Sequence, residues 1–286
     1  MVIGMIKKLE LAPCQLGEGP LWHKETGEYV FTDILTGELF ACKTDGQVRS
    51  LLKCNYLTGA FLFDESGDLL VLTEKGVFHC PYGGTEADFN LMYQIPMASD
   101  ERFNDAICDP KGRILAGTKT DRNVEGKLWV LEAGKQPRVL LDNLQITNGM
   151  GFADGGKTFY HTDSGKRTIF RYCYDVETGS ISEQAVFVTL TDDNGAVPDG
   201  MTVDAEGNVW TALWGGNCVR QYAPDGQLAK EVALPANQTS SIIFGGEKLD
   251  SALVTSAAVG RAAGEDGGIW LIDPGCSGVE EFRATI

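Results

Sequence analysis

NDAICDPKGRILAGT, residues 104–118, recurs twice in altered form, as NGMGFADGGKTFYHTD at 148–163 and DGMTVDAEGNVWTAL at 199–213. Each copy opens on a carboxamide or carboxylate, runs through an apolar segment, turns at a Gly-bearing polar stretch and returns through a second apolar segment. That is a β-hairpin repeated at a fixed phase. Aligning on the turn glycines Gly112, Gly156 and Gly207 brings out three more copies: GEGPLWHKETGEYVFTD from Gly17, GAFLFDESGDLLVLTE from Gly59 and SSIIFGGEKLDSALVTS from Ser240. The six starts lie roughly forty to fifty residues apart, the length of a four-stranded propeller blade. Outer strands come from the second half of each unit, as in GELFACKTDG, GKLWVLEAGK and GGIWLIDPG.

The spacing predicts an all-β, six-bladed propeller with four antiparallel strands per blade, occupying residues 1–286 as a single domain. An open ring would expose a sheet edge, so a terminal strand is expected to complete a blade that the other end began. Lys7 to Leu11, ahead of the first unit, is the candidate, lying against the strands around Ile269 to Ile272. A β-sandwich with an appended domain fits the even spacing less well.

Composition narrows the function classes. With 43% hydrophobic residues in 286, the chain can bury a large core. Its 24 basic against 40 acidic side chains give a formal charge of -16, a field that repels phosphate backbones and attracts cations. Nucleic acid is not an expected partner. The N-terminal stretch MVIGMIKKLELAP lacks the apolar run of a signal peptide and nothing approaches a membrane span, so a cytoplasmic protein, monomeric or weakly homo-oligomeric, is expected. The eight dispersed cysteines show no CxxC spacing and read as reduced, mostly buried small side chains.

In the glycine register one column holds Glu18, Gly59, Asn104, Asn148, Asp199 and Ser240. It begins the innermost strand of each blade, so the six side chains are expected to ring one mouth of the central channel. Glu18 and Asp199 side by side in a partly desolvated funnel repel one another unless a proton or a cation lies between them, and a cation is the simpler answer. All the candidate ligands are oxygens, which suits Ca²⁺, Mg²⁺ or Mn²⁺ better than a structural Zn²⁺. Asn and Asp before Gly are also common turn residues. Their place ahead of apolar strands, rather than at hairpin tips, favours the ring.

Arg102 projects to the same strand face as Asn104 and offers either neutralisation of the acidic ring or a fork of donors to a ligand. Trp214 and Phe61 can line the mouth or pack in the core, with core packing favoured, and Lys119, Asp121 and Arg122 can contact a ligand or be solvated turn charges, with the latter favoured. His23, His79 and His161 are read as partly buried or surface residues with no partner at metal-ligand spacing. No GxSxG elbow, HExxH, P-loop or dinucleotide fingerprint is present.

Taken together, LGEGPLW at 16–22, RFNDAICDPKGRILAGT at 102–118, NGMGF at 148–152, PDGMTVDAEGNVW at 198–210 and LPANQTSSIIFGG at 234–246 resemble the regucalcin/gluconolactonase/luciferin-regenerating enzyme family. The resemblance implies a six-bladed propeller that binds one divalent cation, Ca²⁺ first, with Mg²⁺, Mn²⁺ or Zn²⁺ as alternatives, and hydrolyses sugar lactones such as gluconolactone, xylonolactone, arabinolactone or galactonolactone. By motif, its metal ligands fall on Glu18, Asn148 and Asp199, and its substrate contacts on Arg102 and Asn104. Asp199 is then the residue that takes a proton from the attacking water. Binding to a dication weakens a carboxylate as a base, which leaves open a variant in which Asp199 only orients a water activated by the cation. KTDRNVEGK, between Gly117 and Leu128, is shorter than the loop that covers the mouth in some relatives. Hydrolysis of organophosphates or other esters, and a non-catalytic calcium-binding propeller, are the alternatives.

Overall fold

The computed structural model describes residues 6–120, 126–191, 195–261 and 264–285. Six four-stranded antiparallel sheets are arranged as a six-bladed propeller. The innermost strands are Gly17–His23, Thr58–Phe63, Glu101–Cys108, Thr147–Ala153, Val197–Val203 and Thr239–Gly245. Each packs against the next, and the last against the first, so blade order around the axis follows the sequence.

Blade six is completed from the N-terminus. Ile6–Lys8 pairs with Trp270–Ile272 in the register Ile6↔Ile272, Lys7↔Leu271 and Lys8↔Trp270. The Leu9 amide extends the ladder by donating to the Ile269 carbonyl at 2.8 Å. The N-terminal closing strand is therefore present, but as Ile6–Lys8 it starts one residue before and ends three residues before the expected Lys7 to Leu11, and it covers an edge of the sheet that would otherwise stay open.

The core lies between blade faces, because alternate side chains of every strand point to opposite sides of their sheet. Leu70 and Leu72 of blade two meet Ile114, Ala116 and Trp129 of blade three. Leu115 and Val130 of blade three meet Phe152 and Phe159 of blade four. Tyr29 and Phe31 of blade one meet Ile243 and Leu253 of blade six, which carries the same packing across the closure.

The polar turns of the repeat share one device. In blades two, three and five, Asp64, Asp109 and Asp204 accept from the backbone amides two and four residues on, at 2.9–3.0 Å. Gly67, Gly112 and Gly207 then take φ of 89°, 76° and 82°, where a side chain is disfavoured. The Asp and the Gly are thus two halves of one Asx-type turn.

The C-terminal segment forms a strap that the repeat pattern does not announce. It crosses the channel at the end opposite the inner-strand starts and touches every blade in turn. Gly278 donates to the Leu249 carbonyl, Ala205 to Ser277, Thr202 Oγ1 to Glu281, Ala284 to Phe63 and Thr285 to Gly112. Phe282 lies edge-on to Phe152, and Arg283 pairs with Glu25 at 2.8 Å.

All eight cysteines are free and six are buried, as expected. The histidines differ from expectation. His23 is buried between Thr26 Oγ1 and the Gly67 carbonyl. His161 is wholly buried, and neither ring nitrogen has a hydrogen-bond partner among the described residues. His79 lies 3.5 and 3.6 Å from the carboxylates of Asp64 and Asp68, partners that tertiary packing supplies and sequence spacing hides. No helix among the described residues is long and apolar enough to cross a membrane.

Candidate metal and substrate site

At the open mouth of the channel is a cavity of about 540 Å³ that Glu18, Arg102, Asn104, Asn148 and Asp199 all line. The column does converge, through an irregularity the sequence does not display. In every inner strand the pairing slips at this position: between Glu18 and Leu21, Thr58 and Ala60, Phe103 and Asp105, Asn148 and Met150, Pro198 and Met201, and Thr239 and Ser241. A β-bulge re-aims side chains out of the regular pleat, and six of them in one layer turn a set of strand starts into a ring.

The glycines of NG and DG belong to this layer rather than to hairpin tips. A Cβ on Gly149 would lie 2.5 Å from the Asp199 carbonyl oxygen, and one on Gly59 would run into the Phe103 carbonyl. Glycine here lets neighbouring inner strands approach at the axis. Ser240 is buried and donates to the Gly17 carbonyl at 2.5 Å, so it ties blade six to blade one and stays out of the cavity.

A hydrogen-bonded chain fixes the orientation of Asn148. Its Nδ2 donates to Ser164 Oγ at 3.0 Å, and Ser164 Oγ donates to the Pro198 carbonyl at 2.6 Å. On the other side, Asn104 Nδ2 donates to Asn148 Oδ1 at 3.0 Å and to the Thr147 carbonyl at 2.9 Å. Both Asn104 amide protons are thereby engaged, which leaves its Oδ1 to face the cavity as an acceptor. Arg102 Nη1 donates to the Phe103 carbonyl at 2.8 Å.

Glu18 and Asp199 are 8% and 4% exposed, and Asp199 Oδ1 has no hydrogen-bond partner among the described residues. Burial pushes the Asp199 carboxyl well above the usual carboxylate range, with Glu18 and then Asp105 adding repulsion and Lys119 pulling it back. Glu18 is raised by burial and by Asp105, and held back by the Gly19 amide and by Arg102. Such a pair is unfavourable as it stands and favours a cation or a proton. The donor set fits a hard divalent ion: two carboxylates and one pre-oriented carboxamide oxygen, with Asp199 Oδ1 a buried acceptor that no protein donor satisfies.

Several residues at the channel were missed in the sequence. Asp105, the last letter of RFND, is pushed up to about 7 by burial and by Glu281, and Glu281 of the strap is itself raised to about 7 by burial. Both line a second cavity of about 70 Å³, partly open beside the exposed Val279 and Phe282 of the strap. Asp105 could have been suspected from its adjacency to Asn104, but nothing local placed Glu281 on the axis. Trp214 and Lys119 line the mouth, the less favoured of the two readings of each: Trp214 is the last and Lys119 the next-to-last residue of the second strand of its blade, and those ends rise beside the inner-strand starts. Phe61 is buried core as expected, while Asp121 and Arg122 lie outside the described residues. Two further groupings, Asp64 with Asp68 and His79, and Asp204 with Glu206 and Cys276, are built on the turn aspartates at the far face, whose oxygens already accept backbone amides.

Residues 16–258 match the family described as SMP-30/Gluconolactonase/LRE-like region. The pentonolactonase XacC of Haloferax volcanii is 32% identical over 283 residues, 96% of each chain. A 6-deoxy-6-sulfogluconolactonase of Pseudomonas putida is 32% identical over 257 residues, 88% of this chain and 87% of that one. Among solved structures, a luciferin-regenerating enzyme superposes with a TM-score of 0.90 at 27% identity, covering 99% of this chain and 100% of that one. The chain belongs to the SMP-30/gluconolactonase/luciferin-regenerating enzyme family.

Proposed function

We propose that this protein is a divalent-metal-dependent lactonase that opens sugar lactones to aldonic acids. Lactone hydrolysis is its reaction class, and it is the activity in the names of the relatives above. The observation that carries the finer reading is the unpartnered, buried Asp199 Oδ1 beside Glu18 and the oriented Asn148 in a cavity open to ligands.

Glu18, Asn148 and Asp199 would hold the cation, Ca²⁺ in the first place. When bound, such an ion polarises the lactone carbonyl and stabilises charge on its oxygen. Asp199 takes the proton of the attacking water. Arg102 donates to ring oxygens and hydroxyls from blade three, and Asn104 Oδ1 accepts from one hydroxyl. The two fix the ring's position rather than its charge. Asn104 also positions Asn148, a role its sequence motif alone does not reveal.

Incubation of purified protein with gluconolactone, xylonolactone, arabinolactone and galactonolactone, with and without EDTA, tests this reading by proton release. Opening faster than the spontaneous rate, abolished by EDTA and restored by Ca²⁺ or Mn²⁺, is expected. Absence of metal-dependent acceleration on every lactone, with turnover of paraoxon instead, would replace it by the ester-hydrolase alternative.

A further inference from the structure

The mouth of the cavity is divided by chemistry. Blades two and three contribute its charged arc, Glu74, Arg102 and Lys119. Blades five, six and one contribute Trp214, Val259 and Leu35, whereas Leu57, next to Thr58 of the Thr58–Thr73 pair, stands beside Glu74 in the charged arc. Leu35 and Val259 are 37% and 41% exposed, among the large apolar side chains of the described residues left in contact with solvent. Single exposed apolar residues are ordinary, but two gathered on one side of a cavity rim beside a tryptophan mark a binding surface.

The topology turns this division into an orientation. Blade six stands opposite blade three across the axis, because the inner strands contact one another in sequence order. With the lactone carbonyl at Glu18 and Asp199 and the ring hydroxyls next to C1 at Arg102 and Asn104, the far side of the ring points at blade six. There the exocyclic end of the substrate meets Val259 and Leu35, which offer no hydrogen bond to a hydroxyl stripped of its water. A methyl or alkyl group buries apolar surface in the same place.

We propose that the preferred substrates are sugar lactones whose exocyclic end is deoxygenated, with Leu35, Val259 and Trp214 as the specificity-determining rim. The proposal rests on the lactonase reading and deepens it. It concerns the substrate end remote from the bond that breaks, so discrimination belongs in KM rather than kcat.

The test compares lactone pairs of identical ring stereochemistry that differ by one hydroxyl: L-fuconolactone with L-galactonolactone, and L-rhamnonolactone with L-mannonolactone. A preference of about tenfold in kcat/KM for the deoxy member of each pair, carried by KM, is expected. In L35S the ratio falls toward one, while L91S, an exposed leucine on the outer edge of blade two, leaves it unchanged. Equal or reversed ratios in the wild type, or a ratio that L35S does not move, overturn the proposal. Calorimetric binding of L-fuconate and L-galactonate reads the same preference without turnover. A protein that opens no lactone yet binds L-fuconate more tightly loses the lactonase reading and keeps the apolar rim, whereas equal binding of the two acids removes the rim.

Discussion

Asn104 Nδ2 lies 3.0 Å from Asn148 Oδ1 and donates to it, so a residue of blade three, the proposed substrate contact, holds a residue of blade four, the proposed cation ligand. The two asparagines are equivalent letters of the repeat, and the ring sets them side by side. We expect Asn104→Leu to weaken Mn²⁺ binding by about tenfold, in the range seen when a partner behind a metal ligand is removed. Calorimetric titration with Mn²⁺ measures it. A raised KM with unchanged Mn²⁺ affinity would show that Asn104 serves the substrate alone.

Asp199→Asn removes the proposed proton acceptor and half of a repelling pair at once. We expect kcat to fall by roughly 10²–10⁴-fold, while the cation-free protein melts at a higher temperature than the wild type because Glu18 no longer faces a second carboxylate. Steady-state kinetics and thermal melts in EDTA check the two halves separately. An unchanged kcat would assign proton removal elsewhere.

Cation-free protein should respond to pH in a definite direction. Glu18 and Asp199 are raised in the folded state, so their contribution to stability is fully present below the ordinary carboxylate value of about 4 and is lost as pH rises through the raised values. The melting temperature in EDTA is expected to fall between pH 5 and pH 8. Saturating Ca²⁺ should flatten the fall, since a bound dication favours the ionised carboxylates; at a hundredfold excess over Kd it adds about 2.7 kcal/mol. Parallel curves with and without Ca²⁺ would place the ion away from this pair.

Glu281 isolates the same effect at the far end of the channel. Its carboxyl accepts from Thr202 Oγ1 at 3.0 Å and is raised to about 7 by burial, so its stabilising contribution fades as pH rises toward and past 7. Glutamine keeps the acceptor and cannot ionise. E281Q is expected to melt with the wild type at pH 5 and above it at pH 8. Coincident melts at both values would mean that Glu281 is hydrated through the void beneath it.

Gly59→Ala tests the axis itself. The added methyl meets the Phe103 carbonyl, a backbone atom that cannot swing aside. We expect a loss of about 1–3 kcal/mol or more, read by urea unfolding. Gly134→Ala, at a φ of 71° with nothing near its Cβ, measures the backbone strain alone for comparison.

The repeat was legible because hairpin periodicity, turn glycines and blade length are local properties, written into neighbouring residues. NDAICDPKGRILAGT and its five relatives determine by themselves that there are six blades, where each begins, and that Glu18, Asn148 and Asp199 occupy one column. The strap was invisible, since Thr202 and Glu281 meet across 79 positions with no pattern linking them. So was the division of the mouth, because Lys119 and Trp214 look like strand ends in one dimension and become walls only when the blades stand around an axis. Closing the ring decided the electrostatics as well. In the extended chain each carboxylate is solvated and ordinary, whereas bulged strands packed through glycine bring Glu18, Asp105 and Asp199 together out of water, and that shared desolvation makes a repeat into an acidic cluster that favours a cation or a proton.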